Sequence, residues 1–121
     1  MTHLQTLRTQ SFHAQHGHCF YCRARMWLTS PDELGLRQRS ARPYQCTAEH
    51  LVARQDGGKD TPDNIVAACH VCNQRRHKRP TPAPSADIYL ARVRTRVAKG
   101  KWHSPLPSAA MTGAASPITM G

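Results

Sequence analysis

An acid beside a histidine, Glu49-His50, is followed by Gly57-Gly58, by Asp63-Asn64 and then by Cys69-His70-Val71-Cys72-Asn73. These residue types can do hydrolytic chemistry. A neutral imidazole accepts a proton from water near neutral pH. Carboxylate and amide oxygens suit a hard cation such as Mg²⁺ or Mn²⁺, which keeps several of its own waters. Phosphodiester hydrolysis needs a water made nucleophilic and a cation that stabilises charge on the phosphate and the leaving oxygen. His50 is therefore the candidate general base, and Glu49 and Asn73 are candidate ligands of a catalytic divalent ion. His77, one helical turn after Asn73, is an alternative ligand. A single histidine in a chain with eight carries little weight alone; the flanking pattern singles out His50. The bland readings are a surface salt bridge for Glu49 and a turn asparagine for Asn64.

Two Cys-x-x-Cys pairs frame this stretch, Cys19/Cys22 and Cys69/Cys72. Thiolates at that spacing put two sulfurs on one ion from a single tight turn, and two such turns make a closed tetrahedral zinc site. A closed site leaves no open coordination position, so this ion is structural. The fifth cysteine, Cys46, reads as a small buried hydrophobe. An odd count and the lack of an apolar leader argue for metal over disulfides.

The elements that must position these groups can be sketched from the same pattern. Residues 1–15 carry Leu4, Leu7 and Phe12 and read as a short helix. Ser30-Pro31-Asp32-Glu33 opens one helical turn that Gly35 closes. Residues 43–52 read as a strand ending near His50, and residues 65–68 as a second, short strand. Residues 56–60 and 61–64 are turns. From the second knuckle a helix of roughly ten residues runs until Pro80 ends it. Ser85 caps a last helix to about Lys99, with Leu90, Val93 and Val97 on its apolar face and Gly100 as its stop. The implied organisation is a helical arm over 1–18, the site over 19–80, a linker and basic helix over 81–102, and a disordered Ser/Ala/Pro-rich tail over 103–121.

In order and spacing, Glu49-His50, Gly57-Gly58, Asp63-Asn64-Ile65-Val66 and Cys69-x-x-Cys72-Asn73-x-x-Arg76 resemble the HNH endonuclease motif in its form framed by Cys-x-x-Cys pairs. The resemblance covers about residues 19–78 and looks like an H-N-N variant, with Asn73 at the third letter. It implies an α+β fold of the ββα-metal type with a structural four-cysteine zinc site and flanking helices. It also implies that Asn64 holds the loop and orients His50, that Glu49 and Asn73 hold the catalytic ion, and that cleavage leaves a 3′-hydroxyl and a 5′-phosphate.

Composition agrees with such a partner. The net charge is +10, with 17 Lys and Arg against 7 Asp and Glu, a field that favours polyanions. DNA is expected to be held mainly through phosphate, with Arg54, Lys59, Arg75, Arg76, Lys78 and Arg79 as the contacts. No base-reading element is evident, so sequence selectivity would have to come from a partner protein, of a phage or restriction system for example. No stretch is apolar enough to span a bilayer, and a cytoplasmic location is the expectation. Hydrophobic residues make up 39% and aromatic residues 6% of the chain, so a core this thin needs a staple such as zinc. The rival reading is a zinc-finger nucleic-acid-binding module without catalysis, which would not require Glu49, His50, Asn64 and Asn73 together. A packaging accessory protein is a third class.

Overall fold

Strands β1 (Cys46–His50) and β2 (Ile65–Cys69) pair antiparallel, with Glu49 opposite Val66 and His50 opposite Ile65. A computed structural model describes residues 1–78 and 82–103. Among these the element order is α1 (His3–Ala14), α2 (Gln38–Ala41), β1, β2, α3 (His70–Arg76) and α4 (Ala86–Ala98), with 3₁₀ turns at Pro31–Leu34, Arg42–Tyr44 and Arg54–Asp56. The strand expected over residues 43–52 is shorter, because Arg42–Tyr44 winds into a 3₁₀ turn first.

A two-stranded sheet has two free edges and is marginal alone. Here the outer edge of β2 is closed by side-chain and knuckle donors. Gln15 donates its amide to the Ala67 carbonyl at 2.8 Å and accepts from the Ala67 N–H at 2.9 Å, and the Phe20 N–H donates to the same carbonyl. The alanines of β2 are fully buried, and their small side chains let α1 and the first knuckle approach. Helix α1 starts with a Thr2/Gln5 capping box and lays Leu7 into the interior.

The main core surrounds the cysteines: Tyr21, Met26, Cys46, Ala67, Ala68, Tyr89, Val93 and Trp102 pack with all four knuckle sulfurs. Burial pushes the Cys46 thiol up to about 12, so it stays a neutral hydrophobe. A satellite cluster of Leu36, Ala41 and Tyr44 fills the span between the first knuckle and β1, where Ser30 caps the 3₁₀ turn and Gly35 ends it in the left-handed region at φ 66°.

Three expectations change. Helix α3 has seven residues, not about ten: it ends at Arg76 with His77 as its C-cap, and the Arg76 side chain bonds the Pro84 carbonyl. Helix α4 buries Tyr89 and Val93 and packs Leu90 against the core, whereas Val97, expected on the same face, is exposed. His103, placed in a disordered tail by composition, stacks on Tyr44 beside the thiols, and Trp102 is buried there. Residues 104–121, the remainder of that tail, lie outside the described residues.

The loop from β1 to β2 folds back on itself at one point. A Cβ on Gly58 would lie 1.6 Å from the Val52 carbonyl oxygen and 2.9 Å from Asn64 Nδ2. Gly58→Ala therefore has to displace backbone, and its expected cost is about 3 kcal/mol or more in a urea melt. Gly57→Ala meets no atom within 4 Å and strains only its positive φ, so it is expected to cost about 1 kcal/mol.

Candidate active site and zinc centre

The four knuckle sulfurs, one each from Cys19, Cys22, Cys69 and Cys72, lie within 4.8 Å of one another, and all four residues are buried. Sulfurs on a tetrahedral zinc, with Zn–S near 2.3 Å, stand about 3.8 Å apart; Cys22 Sγ and Cys69 Sγ are 3.8 Å apart. Hydrogen bonds from Cys19 and its neighbours hold Cys22 far down, while bonds with Cys19 and Cys22 push Cys69 and Cys72 far up. Four sulfurs this close cannot all ionise without a cation among them, and zinc would supply it. N–H groups already face the sulfurs: Cys69 N–H donates to Cys19, Ala24 N–H to Cys22 and the Trp102 indole to Cys72. His103 Nε2 lies 3.1 Å from Cys22 Sγ. The donor set and its spacing fit zinc. Trp102 and His103 were invisible to sequence reasoning, because nothing local separates them from the Ser/Ala/Pro-rich run that follows.

At the far end of the sheet, β1 delivers Glu49 and His50, and α3 delivers Asn73 and, at its C-cap, His77. All four line one cavity of about 560 Å³, with Arg54 and Lys78 also on its wall. The alternation of the strand sends Glu49 inward, 1% exposed, and leaves His50 half-buried.

Glu49 is not the surface residue that its type suggests. Its Oε2 accepts from Arg76 Nη1 at 2.8 Å and from the Tyr21 hydroxyl at 2.8 Å, while Oε1 lies 3.1 Å from His77 Nε2. Burial, then the Glu49 charge, push the Tyr21 hydroxyl far up, so it remains a donor. One carboxylate oxygen is thus committed to the interior and the other is turned towards His77. Asn73 donates Nδ2 to Thr47 Oγ1 and to the Ala48 carbonyl, which pins its amide across β1. Among the described residues no protein donor occupies its Oδ1. These oxygens and the His77 nitrogen are donors suited to a hard divalent ion.

Arg76, expected on phosphate, is a correction. It is 4% exposed, and its guanidinium donates to Glu49, the Tyr21 hydroxyl and the carbonyls of His50, Leu51 and Pro84. With its donors engaged inside the protein it does not face solvent. Arg75 is exposed but held 4.6 Å over the Trp102 ring and bonded to the Trp102 carbonyl, and it does not line the cavity. Lys59 is exposed on the loop but does not line the cavity. Arg54 and Lys78 are the expected cations that do. Arg79 lies outside the described residues.

Asn64 holds the loop, as the motif implies, but not by touching the base. Its Oδ1 accepts from Val52 N–H at 2.8 Å, and its Nδ2 donates to the Val52 and Lys59 carbonyls. The side chain on His50 is Asp60, whose Oδ1 is 2.8 Å from His50 Nε2; Arg54 Nη2 bonds the other oxygen at 2.9 Å. Asp60 escaped sequence reasoning as one acid in a polar turn, and its position two residues after Gly58 was the only signal.

An antiparallel pair that delivers an acid and a histidine, a loop held by asparagine and a helix that starts on a zinc knuckle define a ββα-metal nuclease finger. The sequence model of the HNH endonuclease family matches residues 19–79, half of the chain, and the chain belongs to that family. No curated protein and no solved structure matches it. Membership carries a nuclease-type function on nucleic acid. No helix among the described residues is long and apolar enough to cross a membrane.

Two outcomes are expected from this geometry. The purified chain should carry one zinc, and Cys72→Ser or a strong chelator should abolish the cooperative melt followed by circular dichroism, because metal binding here is folding energy. Arg76→Met should cost about 3–5 kcal/mol in a denaturant titration, since it strands the buried Glu49 charge; the double variant Glu49→Gln/Arg76→Met should recover part of that loss.

Proposed function

We propose that the chain is a divalent-ion-dependent endonuclease that hydrolyses DNA phosphodiester bonds, with His50 as general base. The observation that carries this reading is that a half-buried imidazole, one turned carboxylate oxygen and an open amide oxygen share a cavity rimmed by Arg54 and Lys78. Glu49 and Asn73, with His77 beside Glu49, are the residues that would hold Mg²⁺ or Mn²⁺. When bound, that ion supplies the positive charge that stabilises the phosphate and the leaving oxygen.

The chain's own groups do the rest. His50 removes a proton from the attacking water. Arg76 pairs with Glu49 Oε2 and leaves Oε1 turned towards His77 at the cavity. Arg54 and Lys78 draw the backbone phosphate to the rim, with an affinity that falls steeply as salt is raised. Hydrolysis in this sense leaves a 3′-hydroxyl and a 5′-phosphate. A single finger cuts one strand per event. The zinc at the four thiolates holds the scaffold and takes no part in the chemistry.

Plasmid nicking separates this reading from a binding module. The wild-type chain is expected to nick with Mg²⁺ or Mn²⁺ and to stop with chelator mild enough to leave zinc in place. His50→Ala is expected to cut about 10²–10⁴-fold more slowly while its gel-shift affinity stays within about twofold. Equal cutting by the two proteins would remove His50 from the chemistry. Binding without cleavage in any divalent ion would make the chain a zinc-finger module.

A further inference from the structure

We infer that Asp60 is the positioning residue of the base: its carboxylate fixes the ring of His50 in the Nε2–H tautomer and so leaves Nδ1 as the atom that takes the proton. This rests on the reading of His50 as general base and adds to it a residue and an atom.

Two groups compete for one ring nitrogen. Asp60 Oδ1 is 2.8 Å from His50 Nε2, and Arg54 Nε is 3.3 Å from the same atom. A neutral nitrogen can donate or accept, not both. An ionised carboxylate only accepts, so at 2.8 Å the proton must lie on Nε2. The longer Arg54 contact is then a neighbour, not a bond to a lone pair. Asp60 is ionised: the His50 bond first, and then the Arg54 charge, hold its carboxyl below the usual range against slight burial. Among the described residues no protein group bonds Nδ1.

The carboxylate sits behind the ring and not in the path of a substrate. His50 and Arg54 line the cavity and Asp60 does not. Its backbone is held from two sides. His3 Nε2, at the start of α1, is 3.1 Å from the Asp60 carbonyl, and Asn64 grips the carbonyl of Lys59 just before it. Arg54 pairs with the outer oxygen and cancels the charge that Asp60 would otherwise present to DNA. Asn64 therefore orients the base through Asp60, with the loop backbone as the link. A carboxylate behind an imidazole fixes tautomer and orientation, which is the service that the aspartate of a Ser-His-Asp triad performs.

The test uses the zinc-loaded full chain and the Asp60→Ala, Asp60→Asn and His50→Ala variants. Asp60→Ala is expected to lower the single-turnover cleavage rate about 10–100-fold, with DNA affinity unchanged or raised because a negative charge is lost. Asp60→Asn keeps an acceptor oxygen and is expected to retain more activity than Asp60→Ala. Long-range ¹H–¹⁵N spectra at about pH 8, where imidazole is neutral, should show His50 protonated at Nε2 in wild type and mixed between tautomers in Asp60→Ala. Asp60→Ala that cuts at or above the wild-type rate, while His50→Ala does not cut, would overturn the inference. So would an Nδ1–H tautomer in wild type. Undiminished cutting by His50→Ala would sink the base assignment instead, and the spectra would still decide the role of Asp60 on the ring.

Discussion

Four sulfurs from two distant turns occupy a space only one small ion wide, and nearly every element is placed by that convergence. Strand β2 ends at Cys69, α3 begins on the next residue, and the first knuckle donates to the edge of β2 from the other side. The aromatic residues gather there too: Tyr21, Tyr89 and Trp102 form an edge-to-face chain around the thiols. With so few large apolar residues, the core is organised around the cysteines instead of around a hydrophobic layer. The cysteine cluster fixes the start of α3, and that start fixes where Asn73 and His77 emerge.

A second polar centre sits between the zinc knot and the cavity. Arg76 gathers a carboxylate, a phenol and three backbone carbonyls, which ties α3 to β1, to the first knuckle and to Pro84 ahead of α4. A buried charge is costly unless its hydrogen bonds are met, and here five oxygens meet them. The outcome is a rigid Glu49 with a single oxygen turned towards His77. An exposed glutamate at the same position would sample many rotamers and hold an ion poorly.

The third layer is the loop between the strands. Close approach of Gly58 to Val52, the Asn64 side-chain bridge and the His3 contact together leave Asp60 one place to be. Rigid support behind a reacting group is what separates a site from a mere cluster of suitable residues. The N-terminal helix therefore belongs to the site's support, since it bonds β2 through Ser11 and Gln15 as well as the loop through His3.

Residue types and spacing alone determined the family, the four-cysteine cluster and the two short strands, and they pointed to His50, Glu49, Asn64 and Asn73. Those features are legible because they are local: a knuckle needs two cysteines three apart, a strand end needs its alternation, and a tight loop needs its glycines. Tertiary structure alone decided that Arg76 and not Arg75 is interior, that Trp102 and His103 cover the thiols, and that Asp60 stands behind the imidazole. The first two depend on a partner far along the chain: Glu49 for Arg76, Cys72 and Cys22 for Trp102 and His103. Asp60 lies only ten residues from His50, yet its role depends on how the loop closes. Charge and hydropathy at a position are the same whether a side chain meets solvent or five buried oxygens, so only the folded chain separates the two.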